Sequence, residues 1–234
     1  MTKNKNIDIT ELEKFSSRAD QWWDPNGEFK TLHDINHVRL CYVSEHVSIK
    51  NSHILDIGCG GGIFTEAMAK QGALVTGLDA SKENIQVASQ HAIGKQLEID
   101  YVFSTAEDFA ENHTHSFDII TCMELLEHVP DPASIIQAAS KIIKPGGHVI
   151  FSTINRTIKS YLLAILAGEY LLKLIPKGTH RYEKFIRPSE LVAWCKEYNL
   201  EMNDLSGMRY NPLLGTCSLD RKPEINYLLD TIAK

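Results

Sequence analysis

The stretch HILDIGCGGG, residues 53–62, constrains this chain more than any other. An apolar run that ends in Asp56 and opens into Gly58, Gly60, Gly61 and Gly62 reads as a buried parallel strand entering a tight turn and then a helix. Glycine accepts φ > 0 and lets a ligand approach bare backbone, where the free N–H groups of a helix start can bind it. The segments that follow alternate: strand 53–57, helix 61–71, strand 74–78, helix 81–92, strand 100–103, strand 117–123, helix 132–143 and strand 148–153. Asp131 caps the helix at 132 with Pro132 in its first turn, and KPGG (144–147) is the turn after it. Two late strands, 201–206 and 214–219, are expected to form an antiparallel edge, which makes seven strands. The alternation predicts an α/β fold, a doubly wound, mostly parallel, Rossmann-like sheet.

Upstream, TELEKFSSRADQWWD offers Thr10 and Glu13 as a capping box, with Leu12, Phe15, Ala19 and Trp22 at helical spacing. DPNGEF is a turn, and a second helical stretch runs from about Asn36 through Arg39, Leu40 and Val43. Downstream come an apolar helix over about 158–175 and another helix begun by RPSEL. A chain of 234 residues suits one sizeable core. Residues 1–234 are therefore read as a single domain: an N-terminal helical cap (1–50), a ligand-binding core (51–157), an apolar lid or membrane-facing insertion (158–187) and a C-terminal helix with strands (188–234).

The net charge of -6 argues against a nucleic-acid partner, because phosphate binding relies on clustered Lys and Arg in excess. Cys41, Cys59, Cys122, Cys195 and Cys217 are odd in number and lack metal spacing, and the first residues have no apolar signal core, so a reducing cytoplasm is expected. Residues 161–175 are too few to span a bilayer, which needs about 20 apolar residues, and Glu169 and Lys173 interrupt them. Their nearly continuous apolar circumference suits either burial in a lid or a face toward lipid or a polyprenyl tail, and Lys177, His180 and Arg181 after it are placed to meet anionic headgroups.

A dinucleotide fingerprint fails here, because the sixth position counted from Gly58 is Ile63. The pattern present, D-x-G-x-G-x-G from Asp56 through Gly58 and Gly60 to Gly62, resembles the first motif of class I methyltransferases that use S-adenosylmethionine. Asp79 closes the next strand about 20 residues after the first glycine, where a carboxylate accepts ribose hydroxyls. The Ala106 backbone or the side chains of Thr105 and Glu107 are placed to meet an adenine, and Met123 to pack on the ligand at the end of FDIITCM. Glu124, Glu127 and His128 follow that strand at the ligand-binding edge. A phenolic acceptor, with a pKa of about 10, needs help to ionise. His128 as general base, or a divalent ion such as Mg²⁺ held by Glu124, Glu127 and His128, would supply it, and so the three are candidate catalytic and metal-binding residues. The plainer alternative is that they tie the loop to its neighbours.

The segments QWWDPNGEFKTLHDINHVRL, DIGCGGGIFTEAMAKQGALVTGLDAS, TCMELLEHVPDP, KPGG and EYLLKLIPKGTHRYEKFIRPSEL span most of residues 15–210, and together they resemble the ubiquinone biosynthesis O-methyltransferases. The resemblance implies two methyl transfers to ring hydroxyls, one on a polyprenyl catechol and one on demethylubiquinol. It implies cofactor contacts from Arg39, Gly58, Asp79 and Met123; read from the residues alone, Arg39 is a solvated helix position. It also implies that eukaryotic members use magnesium through the residues kept here as Glu124, Glu127 and His128. A peripheral place on the inner membrane face and a place in a ubiquinone-biosynthesis assembly are expected with it. The rival readings are a methyltransferase of a water-soluble phenol, a nicotinamide-dependent reductase and a non-enzymatic assembly subunit.

Overall fold

The computed structural model describes residues 6–162, 181–212 and 214–234. The α-helices among the described residues are α1 (Ile9–Ser16), α2 (Lys30–His46), α3 (Ile63–Lys70), α4 (Lys82–Gly94), α5 (Ala106–Ala110), α6 (Pro132–Ile142), α7 (Ile158–Ser160) and α8 (Pro188–Glu197). The strands are β1 (His53–Ile57), β2 (Leu74–Asp79), β3 (Ile99–Phe103), β4 (Phe117–Met123), β5 (Ile143–Ile154), β6 (Leu200–Asn211), β7 (Thr216–Asp220) and β8 (Asn226–Ala233). Most of the expected apolar helix, with Lys177 and His180, lies outside the described residues.

The strands form one eight-stranded sheet in the order β3-β2-β1-β4-β5-β8-β6-β7. From β3 to β5 neighbours run parallel, with Leu55 opposite Thr76 on one side and Ile120 on the other. The β8, β6 and β7 strands pair antiparallel. Alternation along each parallel strand feeds two cores. Ile54, Val75, Ile119 and Ile150 pack under α2 and α3 with Tyr42 and Met68. Leu55, Leu78, Ile120 and Phe151 meet Ile136 of α6 and Leu191 of α8 on the opposite face. Each fully buried side chain of this size contributes about 1.5 to 3 kcal/mol, which holds the strand ends in fixed register below the site.

Three expectations change. The sheet has eight strands, not seven, because the tail forms β8 between β5 and β6; its apolar run is broken in sequence by Asp230, which is buried against His148 Nδ1 at 3.0 Å and Asn203 Nδ2 at 2.7 Å. The KPGG turn is a bulge inside β5: Phe117 pairs with Ile143 but Ile119 already with His148, and Gly146 takes φ +75°. At α1 the cap is Asp8, whose side chain accepts from the N–H groups of Thr10 and Glu11, so Thr10 lies inside the helix. Asp131 does cap α6, with Pro132 in its first turn.

Candidate active site

The carboxyl ends of β1, β2 and β4 border a cavity of about 440 Å³, to which the N-terminal segment adds Glu11, Phe15 and Trp22. That volume is in the range of small-molecule sites, and the cavity lies where the strand order reverses between β1 and β4.

The turn after β1 is shaped for two neighbours. Gly60 has φ +54°, and a Cβ on Gly60 or Gly61 would fall 2.4 or 2.3 Å from the Trp22 indole. The missing side chains therefore make room for an aromatic ring. Trp22 stacks on Phe29 with centroids 3.9 Å apart and donates from Nε1 to Asn84 Oδ1 at 3.0 Å. Trp23 donates from its Nε1 to the Gly61 carbonyl at 2.9 Å.

Beside the turn, Asp79 Oδ2 accepts from the Gly60 N–H at 2.9 Å, and Oδ1 accepts from the Ser81 N–H at 2.8 Å and Asn84 Nδ2 at 3.3 Å. Burial raises the Asp79 carboxyl above its usual range, against those donors. Asp56, 2% exposed, has both oxygens taken, by Thr65 Oγ1 and Thr121 Oγ1 at 2.7 Å each. Burial pushes its pKa up to about 6 while the two hydroxyls oppose the rise. It joins β1 to α3 and β4 beneath the cavity.

On the adenine side expected from the sequence, Thr105 Oγ1 caps α5 by accepting the Asp108 N–H at 3.1 Å. Glu107 Oε1 accepts from Asn6 Nδ2 at 2.9 Å and Ser134 Oγ at 2.7 Å. Its Oε2 is buried and without a partner among the described residues.

Past the end of β4 the groups come from distant parts of the chain. Met123 is buried and lines the cavity. Glu124 adopts φ +47°, a left-handed conformation uncommon outside glycine, with its N–H on the Ser152 carbonyl at 2.9 Å. Its carboxylate accepts from the Arg39 guanidinium of α2 and from Ser152 Oγ at 2.5 Å. Burial raises the Glu124 carboxyl and the Arg39 charge opposes it. Arg39 is 3% exposed, not solvated, and its Nε has no acceptor among the described residues. Glu127 accepts from Thr153 Oγ1 at 2.7 Å, and its Oε1 is likewise buried without a partner among them. His128 Nδ1 lies 2.8 Å from Glu11 Oε2, with the Phe15 ring edge-on at 5.0 Å.

The donor set weighed for Mg²⁺ is thus committed in three directions: Glu124 to Arg39 and Ser152, Glu127 to Thr153, His128 to Glu11. Among the described residues no group of three or more His, Cys, Asp or Glu side chains is placed to hold a metal ion. With their oxygens and ring nitrogen so committed, the described residues do not fit the expected ion.

Glu11, Trp22, Asn84, Ser152 and Thr153 belong to the site without any sequence pattern that marks them for it. Trp22 stands in the segment QWW, but nothing local ties it to the glycine turn.

A family model described as a methyltransferase domain matches residues 40–205. A ubiquinone biosynthesis O-methyltransferase from Photobacterium profundum is 52% identical over 99% of both chains. One from Thiobacillus denitrificans is 50% identical over 97% of both. Among solved structures, the magnesium protoporphyrin IX methyltransferase from Synechocystis PCC 6803 with bound SAH aligns with a TM-score of 0.72 at 15% identity, covering 97% of this chain and 99% of that one. A SAM-dependent methyltransferase from Aquifex aeolicus aligns at 0.65 and 13% identity, covering 94% and 98%. At such identities these two share the fold alone.

Proposed function

The chain belongs to the ubiquinone biosynthesis O-methyltransferase family, and from that premise we propose how its own residues divide the reaction. It is an S-adenosylmethionine-dependent O-methyltransferase of ubiquinone biosynthesis, acting on a prenylated phenol. The substrates we infer are a 2-polyprenyl-6-hydroxyphenol and demethylubiquinol, and we read residues 1–234 as one domain whose first 50 residues cover the cofactor.

The observation that carries the site assignment is three of the six buried polar atoms unpartnered among the described residues: the donor Arg39 Nε and the acceptors Glu107 Oε2 and Glu127 Oε1, which come from residues lining the cavity. Leaving such a group unpaired costs about 1 to 3 kcal/mol, so the set is a mould for a ligand of matching polarity. An amino acid joined to adenosine supplies that match. Arg39 would take its carboxylate, Asp79 the ribose hydroxyls and Glu107 the adenine amino group, while Gly58, Gly60 and Met123 border it.

When bound, S-adenosylmethionine supplies a methyl group on a cationic sulfur. Transfer in line requires alignment and removal of one proton from the acceptor hydroxyl. His128 removes that proton. Glu127 Oε1 accepts a hydrogen bond from the acceptor ring, and Glu124 holds the Arg39 guanidinium in place. Asp56 acts through the strands it joins.

The same reading places residues 158–187 against the membrane face. Among the described residues no helix is long and apolar enough to cross a membrane. Ile158 is 76% exposed and Leu162 48% exposed where the apolar stretch begins, and Arg181 is exposed where the described chain resumes, which supports peripheral contact. Two comparisons test the assignment: turnover of long-chain against short-chain prenyl phenols, and sedimentation with anionic liposomes when Leu163, Leu166 and Leu171 are made polar. Preference for the long chain and loss of sedimentation are expected. Equal turnover of a water-soluble phenol, or normal sedimentation by the folded variant, contradicts it.

A further inference from the structure

Helix α1 has an unusual buried face: among its eight residues the one buried side chain is Glu11, at 8% exposure, while Ile9 remains 68% exposed. A helix docked only to cover apolar surface would bury its leucine and phenylalanine more deeply than its acid. Instead the carboxylate reaches His128, 117 positions later, with Oε2 at 2.8 Å from Nδ1. Burial of a carboxylate is unfavourable unless it is paired. Here the imidazole provides one partner and Lys14 Nζ, 3.2 Å from Oε1, the other. The net effect holds the Glu11 carboxyl below its usual range: burial pushes it up, and the hydrogen bond and charge of His128 with those of Lys14 outweigh that push.

We propose that Glu11 is the positioning residue that fixes the orientation and tautomer of His128 for removing the acceptor's proton, a role that rests on the reading of His128 as the base. A carboxylate on one ring nitrogen places the hydrogen there and the lone pair on the other. With Nδ1–H donated to Glu11, Nε2 is the nitrogen that receives the proton. The Phe15 ring, at 5.0 Å and 83° to the imidazole, restricts rotation about the same axis. Among the described residues the charges near this pair include Lys14, which contacts Glu11 Oε1, and Glu124, which interacts with the His128 charge, while Nδ1 is directed at Glu11. The helix is itself anchored at its start: Asp8 caps it and also accepts from Lys184 Nζ at 2.9 Å, beyond the apolar stretch. The N-terminal cap thus completes the proton-transfer group.

The test compares Glu11→Gln, Glu11→Asp and His128→Ala in the full chain. The readouts are kcat and KM for methyl transfer at saturating cofactor, S-adenosylhomocysteine affinity by calorimetry, and ¹⁵N NMR of the imidazole. Glu11→Gln should lower kcat by about 10- to 100-fold with cofactor affinity unchanged, and Glu11→Asp should recover part of the loss. Wild-type kcat in Glu11→Gln beside an inactive His128→Ala overturns the role of Glu11 and leaves the base intact. An active His128→Ala overturns the base reading itself. Should Glu11→Gln fail to fold, NMR of the unaltered protein decides: hydrogen on Nδ1 of His128 is expected, and hydrogen on Nε2 overturns the proposal.

Discussion

At the glycine end of the cavity, Gly60 and Asp79 meet across 19 positions inside one strand-turn-helix-strand unit, whereas at the other end His128 meets Glu11 across 117 positions and Glu124 meets Arg39 across 85. The first end follows from a local pattern that any doubly wound sheet repeats. The second exists only when the N-terminal helices have docked on the finished sheet. Ribose binding at Asp79 and proton removal at His128, as proposed, are therefore separable, and damage to one should leave the other measurable.

The largest separation is expected at His128. His128→Ala should lower turnover by about 10²- to 10⁴-fold while calorimetry with S-adenosylhomocysteine finds little change; a parallel loss of binding would mean the two ends are not independent. Next is Asp56, the group beneath the cavity. Its folded pKa, about 6, lies above the usual 3.8, so between those values the folded chain binds a proton that the unfolded chain has released. The stability it contributes is then full below pH 4 and lost as pH rises through 6, about 3 kcal/mol in all. Urea unfolding across this range should show wild type losing stability relative to Asp56→Asn as pH rises, and a difference independent of pH would refute the assignment. Asp79→Ala removes the ribose acceptor and should weaken cofactor binding by about 1 to 3 kcal/mol, roughly 5- to 150-fold, without altering turnover at saturation. The smallest effect is at Trp22. Trp22→Phe keeps a ring against Gly60 and Gly61 but loses the N–H donated to Asn84, which in turn holds Asp79. Cofactor affinity should fall by about 0.5 to 1.5 kcal/mol; no change would show that this relay does not reach the carboxylate.

The same contrast explains what the sequence discloses. Gly58, Gly60 and Asp79 are legible because turn chemistry, strand patterning and a spacing of about 20 residues all lie within one supersecondary unit. Arg39 looks like a surface residue in the periodicity of α2, and only the resemblance to a family singles it out, although it is 3% exposed. Glu11 gives no signal at all, since an acid in the first turn of a helix is ordinarily there for the helix dipole. The tail is unreadable for a related reason. Asp230 interrupts the apolar run of β8 and is accommodated only because His148 and Asn203 arrive from two other strands. Asp8 in place of Thr10 at the start of α1 is a smaller case, two neighbouring capping candidates that local sequence does not separate.

The central claim is that one cavity brings an S-adenosylmethionine methyl group to a ring hydroxyl of a prenylated phenol. It is tested most directly by supplying the protein with methyl-labelled S-adenosylmethionine and a prenylated demethylubiquinol analogue, then locating the label by mass spectrometry. Label is expected on the ring oxygen in equal amount to the S-adenosylhomocysteine formed, and is expected to be lost in His128→Ala. A protein that binds S-adenosylhomocysteine yet leaves the prenylated phenol unlabelled, or labels it equally well without His128, would contradict it.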